Sequence, residues 1–395
     1  MEEMKDYLSS RMVINIGPAH PATHGTLRFI MELEGEKIIK CTPEIGYLHR
    51  AFEKSAEKGT YTQVIPYTDR LNYCSAMINN VGYVMAVEKL MKIEITERCK
   101  YIRVIISELS RIMDHLVCIG ANAVDLGALT NFWYFFQKRE EIYDVLEALC
   151  GARLTTSYTR IGGLMRDAGP EFITGVSNLL KSIPHAISDV DKLLTKNKIF
   201  YDRSRGVGVI SGEDAVSYSF TGPCLRASGI NYDVRKKMPY LGYENFDFEI
   251  PTDSAGDVYS RYIVRMEEMR QSLRIIEQAV KKLPAGPVNC DIPNVTLPPK
   301  EKVYNQMEAL IRQFKIIIDG IKPEIGETYF AVEGANGELG FHIISDGTTN
   351  PYRVRVRPPC FPFLSAFPKM TEGAYIADAI ATLGSLNIIA GELDR

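Results

Sequence analysis

Between Ile102 and Leu116 the apolar residues Ile102, Ile105, Ile106, Leu109, Ile112, Met113 and Leu116 recur at spacings of 3, 1, 3, 3, 1 and 3. That rhythm is one face of an α-helix. The helical pattern begins near Ala76, and further helices are predicted over 131–149, 170–196, 256–283 and 301–319. Gly120 and Gly151 stand where two of them are expected to stop. In 256–283, Ile263, Met266, Met269, Leu273, Ile276 and Val280 share one face, with charges on the others. Before this centre, 12–16 and 27–41 are rich in Val, Ile, Leu and Phe and bounded by Gly and Pro, as short strands are. Five prolines between Pro284 and Pro299 mark a loop. Beyond Gly326, Thr328–Glu333, Leu339–Ser345 and Tyr352–Val356 are separated by turn signals and predict a small meander, then a helix near 373–386.

The fold class is therefore α+β: a helical core (76–283) between a β-rich N-terminal region (1–75) and a C-terminal region with a meander and final helix (284–395). No long flexible linker divides them, which favours one unit of 395 residues. Lys and Arg number 46 against 49 Asp and Glu, so the near-neutral chain lacks the basic stripe of a nucleic-acid binder. The longest uncharged stretch, Leu71–Val87, contains Asn72, Asn79 and Asn80 and does not read as a transmembrane helix. The start, Met1-Glu-Glu-Met-Lys-Asp6, is acidic and unlike a secretory leader. Eight cysteines are dispersed from Cys41 to Cys360 without a CxxC, so no iron–sulfur or zinc motif is present. They read as reduced thiols, most of them core fillers.

Nucleotide-binding and hydrolase signatures are missing: there is no GxxxxGK, GxSxG or HExxH, and Arg205-Gly-Val-Gly-Val lacks a third glycine. The densest chemistry is Gly17-Pro-Ala-His-Pro-Ala-Thr-His-Gly25, with His20 and His24 four apart in a segment that cannot be a regular helix. Three readings are open there: a metal site short of ligands, a turn with hydrogen-bonded histidines, or a rigid loop presenting imidazoles to a polar ligand. A second cluster, Pro66-Tyr-Thr-Asp-Arg-Leu-Asn-Tyr73, puts Arg70 and two tyrosines at the entrance to an apolar helix; aromatic packing is the plainer explanation of it. Asp125 is a lone carboxylate in an apolar run and needs a partner, whether a side chain or a helix N-terminus.

Taken together, GPAHPATHGTLRF, EIGYLHRAFEK, YTDRLNY, ISELSRIMDHL, DLGALT, RIGG, LRASGINYDVR, PYRVRVRPP and GELDR run in order from Val13 to Arg395. This series resembles the D-type subunit of respiratory complex I, the NADH:quinone oxidoreductase. The resemblance implies a fold like the large subunit of nickel–iron hydrogenases with the metal site lost. Where that enzyme has two CxxC pairs, this chain has Tyr47-Leu-His-Arg50 and Gly391-Glu-Leu-Asp-Arg395, with no thiolate to hold a metal.

It also implies a quinone (ubiquinone or menaquinone) as substrate. His24 and Tyr73 would bind the headgroup, Asp125 would touch His24, and the cavity would include His20, Phe132 and Arg395. Arg70 would lie beside a terminal iron–sulfur cluster held by a neighbouring protein of the complex. NAD and the clusters would sit on partner proteins of the peripheral arm, and a membrane-arm partner would adjoin the quinone entry. The implied setting is a proton pump on the cytoplasmic face of the bacterial inner membrane. Two departures stand out: Thr155 and Thr156 replace a histidine common in the family, and Asn387 replaces a usual aspartate. The readings left beside it are a ferredoxin- or F420-fed relative, a structural assembly subunit, and a free-standing metal hydrolase.

Overall fold

The computed structural model describes residues 11–395, so the acidic start Met1–Asp6 lies outside the described residues. Three antiparallel strands open the chain: β1 (Met12–Ile16), β2 (Arg28–Glu34) and β3 (Lys37–Glu44), in the order β1-β2-β3. The single run expected over 27–41 is two strands, because Gly35 takes φ 63° and reverses the chain. Alternate β2 residues Phe29, Met31 and Leu33 are buried, the period-2 signature of a half-buried sheet.

Two short helices follow, α1 (Phe52–Lys58) and α2 (Tyr61–Thr68), then α3 (Ala76–Leu90), α4 (Glu97–Asp125), α5 (Leu129–Cys150) and α6 (Pro170–Leu194). A small antiparallel pair, β4 (Thr159–Arg160) and β5 (Gly163–Leu164), lies between α5 and α6. Thr96 starts α4 by accepting the Cys99 amide at 3.4 Å. Every residue from Ile102 to Leu116 is buried, so α4 is the axis of the molecule, with α3 and α5 packed on it. It does not stop at Gly120. That glycine lies mid-helix, where a Cβ would stand 3.3 Å from the ring of Phe136, and its absence admits the aromatic face of α5. Gly151 does end α5, at φ 79°.

Four short helices (α7–α10) occupy Lys198–Lys237, and a long one, α11 (Val258–Lys281), returns along α4. Its charges are not all turned to water: Arg261, Arg265 and Glu268 are buried. The helix expected over 301–319 breaks at extended Gln306 into α12 (Lys300–Asn305) and α13 (Met307–Ile318). Met307, Leu310, Ile311, Phe314, Ile317 and Ile318 line α13 and remain exposed. The meander forms as the turn signals suggest: β6 (Gly326–Glu333), β7 (Glu338–Ser345) and β8 (Arg353–Arg357), all antiparallel. The chain closes with α14 (Cys360–Thr371), a helix the pattern did not predict, then α15 (Ile376–Leu386), the helix expected near 373–386, and α16 (Ala390–Leu393). No helix is long and apolar enough to cross a membrane among the described residues.

Candidate functional site

Pro21–Thr23 forms one 3-10 turn, and the His20 ring accepts the Ala22 amide at its start. His20 is exposed and serves the turn. His24 closes the same turn at φ 54°, a left-handed conformation uncommon outside glycine. The Thr23 hydroxyl, fully buried, reaches the carbonyls of His20 and Gly25 at 2.7 Å and fixes the loop from inside. So held, the His24 imidazole meets Asp125 at the last turn of α4, Nε2 to Oδ2 2.5 Å. Asp125 is exposed rather than sunk in an apolar core, and its side-chain partner lies 101 residues away in sequence.

The second cluster turns at Asp69–Asn72 between α2 and α3. Tyr73 is partly buried, and among the described residues its hydroxyl makes no hydrogen bond. Burial pushes its phenol up to about 12, so it keeps its proton at any working pH. Arg70 points outward, with Nη1 on the Pro66 carbonyl at 2.6 Å and 3.6 Å from Asp69. Nearby, Arg50 bonds the Arg70 carbonyl at 2.7 Å, and Arg160 donates to Ser157 in the segment that also holds Thr155 and Thr156. Burial lowers the pKa of both Arg50 and Arg160, and neither pairs with a carboxylate among the described residues.

The C-terminal helices join the two clusters. A Cβ on Gly384 would be 3.1 Å from Asp125 Oδ2, and one on Gly25 would be 3.3 Å from Ala390. Gly391 lies so close to the Arg70 and Leu71 carbonyls that a Cβ would overlap them at 2.5 and 2.7 Å. Asp394 accepts the amides of Gly46 and Leu48 at 3.0 and 2.8 Å, and its carbonyl is 2.6 Å from His49 Nδ1. The segments 47–50 and 391–395 are therefore in direct contact.

Sequence reasoning missed two acidic groups here. Glu392 is buried and accepts the Cys360 amide at 3.0 Å, and burial raises its pKa to about 7. A carboxyl raised in the folded state costs stability as the pH climbs from about 4.5 to about 7, by roughly 3 kcal/mol in all. Glu392→Gln, which keeps the acceptor, should slow amide exchange over 389–394 at pH 8 and not near pH 4. Equal exchange in both proteins at pH 8 would contradict this. The other is Asp114, fully buried on α4, whose oxygens accept from Asn72 Nδ2 at 2.7 Å and Asn387 Nδ2 at 2.5 Å. Neither stood out because both sit in otherwise ordinary helix text.

Residues 125–395 match the family model of the respiratory-chain NADH dehydrogenase 49 kDa subunit. The chain is 49% identical over 393 residues to the D-type NADH-quinone oxidoreductase subunit of Leptospira biflexa, covering 100% of this chain and 97% of that one. The D-type subunit of Myxococcus xanthus is 51% identical over 387 residues, 98% of this chain and 93% of the relative. The fused C/D-type subunit of Bdellovibrio bacteriovorus is 53% identical over 382 residues, 97% of this chain and 68% of the relative. The chain belongs to the D-type subunit family of NADH-quinone oxidoreductase.

Within this D-type subunit several of the family-like motifs serve the core. RIGG is locked by Arg103, which pairs twice with Glu88 at 2.7 Å and donates to the Arg160 and Gly163 carbonyls. LRASGINYDVR supplies Arg226, Asp233 and Arg235 to a fully buried ion network. Arg226 bonds Glu268 at 2.8 Å and Glu333 at 2.9 Å; Arg235 bonds Asp233 at 2.7 Å and Glu108 at 3.1 Å. Asp233, Glu268 and Glu333 bring oxygens within 4.8 Å of one another, and the guanidinium groups satisfy them. Arginines and His115 hold Glu268 well below the carboxylate range, whereas burial lowers the pKa of His115, whose Nε2 lies 3.1 Å from Glu268.

Of the remaining residues that the resemblance singles out, Phe132 stacks on Phe136 with centroids 3.6 Å apart, on the α5 face that follows Asp125. Arg395 lies over the Phe361 ring and 3.5 Å from Glu53 Oε1, a tie to α1.

Proposed function

We propose that the loop around His24, the turn at Tyr73 and the C-terminal helices form the quinone-headgroup site of the NADH-quinone oxidoreductase complex. The observation that carries this is the pairing of an oriented imidazole, His24 on Asp125, with a protonated phenol at Tyr73 that no protein group uses among the described residues. A quinone taking two electrons gathers negative charge on its carbonyl oxygens, and donors aimed at them stabilise it and supply protons. Asp125, 2.5 Å from Nε2, fixes the ring orientation of His24. Phe132, Arg395 and His20 would border the site.

In this reading the chain resembles the nickel–iron hydrogenase large subunit, and the contact of 47–50 with 391–395 supports it, since these stand where that enzyme holds its metal. The electrons come from a cluster of a neighbouring iron–sulfur protein seated on the face of Arg50, Arg70 and Arg160. Three guanidinium groups with, among the described residues, one nearby carboxylate, Asp69, favour a cluster that gains negative charge. NAD is bound elsewhere in the complex. The subunit is peripheral, on the cytoplasmic face of the inner membrane, against a membrane-arm partner, and serves a proton pump. An azido-quinone irradiated on the purified complex should label the peptides containing His24 or Tyr73. Labelling confined to other peptides would overturn the assignment.

The neighbouring cluster should show a weak pH dependence of its midpoint potential. Thr155 and Thr156 do not ionise, and Thr156 is buried with its hydroxyl unpartnered among the described residues. His185 is exposed on α6 and His342 pairs with Glu327 in the C-terminal sheet, so neither shares an element with the arginine face. A one-electron couple fully linked to one proton moves ~59 mV per pH unit. Redox titration between pH 6 and 8 should give a clearly smaller slope, and the full slope would contradict the argument.

A further inference from the structure

Asp114 lies beneath Tyr73 with both oxygens accepting hydrogen bonds and, among the described residues, no salt bridge. A buried carboxylate held by two amides rather than a cation is an expensive arrangement, since amides compensate lost hydration less fully than an opposite charge. Its two partners are informative. Asn72 starts the 3-10 turn Tyr73–Ser75: its Oδ1 accepts the Cys74 amide at 3.1 Å, and its carbonyl accepts from Asn79 at 2.8 Å. The orientation of the Asn72 amide is thus set by Asp114, and the Tyr73 backbone follows it. On the other side, Asn387 divides its Nδ2 between Asp114 and Asn336 Oδ1 at 2.7 Å, while Asn336 returns a bond to the Asn387 carbonyl at 3.0 Å. The chain of amides ends at the segment that packs on Asp125 and Arg70.

We infer that Asp114 is the positioning residue of the headgroup site, a carboxylate that aligns Tyr73 through Asn72 and the C-terminal helices through Asn387. This deepens the headgroup reading and rests on it. It also changes the meaning of Asn387. Judged from sequence, an asparagine in place of the usual aspartate removes a charge from the headgroup region, but the amide faces a carboxylate at 2.5 Å. An aspartate at 387 beside Asp114 would set two carboxylates in contact, so the acidic group has one place here, on α4.

The test is quinone reductase turnover of the assembled complex in membranes, with a short-chain ubiquinone analogue, normalised to complex content. In Asp114→Asn one of the two amide partners must face a second NH2 group, so Asn72 or Asn387 turns. Because a misplacement of about 1 Å can cost ~100-fold, kcat should fall roughly 10- to 100-fold with the quinone KM changed little. Asn387→Asp alone should fall similarly. The double variant Asp114→Asn/Asn387→Asp restores one carboxylate opposite one amide and, though it gives up the bond to Asn336 Oδ1, should recover at least a clear part of the loss, a non-additive cycle. Turnover of Asp114→Asn within twofold of wild type would overturn the inference, as would a double variant no better than its worse single. If Asp114→Asn fails to assemble, the double variant alone decides by the same criterion. Tyr73→Phe run in parallel separates the two ideas. Full activity there defeats the headgroup reading itself, whereas its loss with Asp114→Asn unaffected defeats only the role of Asp114.

Discussion

Replacing Glu268 by alanine should cost this D-type subunit about 3–5 kcal/mol, the penalty for stranding a buried charge whose partner is removed. Glu268 bonds Arg226 at 2.8 Å and His115 at 3.1 Å, and it lies 3.4 Å from Arg235, all of them fully buried. Without it Arg226 and Arg235 keep their charge in a core with no water to take over. Domains commonly have only ~5–15 kcal/mol of stability in hand, so the variant should accumulate poorly and the complex should fail to assemble. The exposed pair Glu277–Lys281 on the same helix provides the control, and Glu277→Ala should leave assembly unchanged. Complex content by native gels reads both. The pH sign follows from the direction of the shift. Glu268 is held well below 4.5 in the folded chain, so its contribution is present above that value and is lost as the pH falls below it. Normal assembly of Glu268→Ala would show that the network is dispensable.

That network explains which parts of the fold could be read from the sequence. Periodicity found the apolar stripe of α4 because Ile102 to Leu116 obey a helical rhythm, and it found the meander because β6 to β8 are punctuated by turns. It assigned the charged faces of α4 and α11 no interior role. Pattern reading assumes that charge faces water, whereas here carboxylates and guanidinium groups far apart in sequence, such as Glu108 and Arg235, neutralise each other inside. The same assumption hid Asp114 and Glu392. Small corrections have local causes: a left-handed Gly35 made two strands of one run, and Gly120 was needed for packing rather than for a helix end. At the site, His24 and Asp125 were legible singly as a histidine in a rigid loop and a carboxylate lacking a partner. Their contact at 2.5 Å was implied only by the resemblance, since a pairing across 101 residues leaves no local pattern.

Tyr73→Phe should lower quinone reductase turnover ~100- to 1000-fold while leaving assembly intact. The two halves of that expectation come from one observation. The Tyr73 hydroxyl makes no hydrogen bond among the described residues, so deleting it breaks nothing that holds the turn; Asn72 and Asn79 do that. Its ring, half-buried beside the sheet core, keeps its packing in phenylalanine. What is lost is a donor kept protonated by burial, with a pKa pushed up to about 12. A donor acting mainly on charge that develops in the transition state is worth ~2.7–4 kcal/mol, hence the fold-loss. Tyr243 shows the opposite behaviour and makes the comparison decisive. Its hydroxyl bonds Glu108 at 2.7 Å inside the ion network, far from any solvent, so Tyr243→Phe should reduce the amount of complex more than the turnover of what assembles. Turnover per assembled complex, measured for both variants, separates a phenol that reacts from one that only holds. If Tyr73→Phe keeps near-full turnover, the phenol is not a proton donor and the proposed headgroup site is refuted.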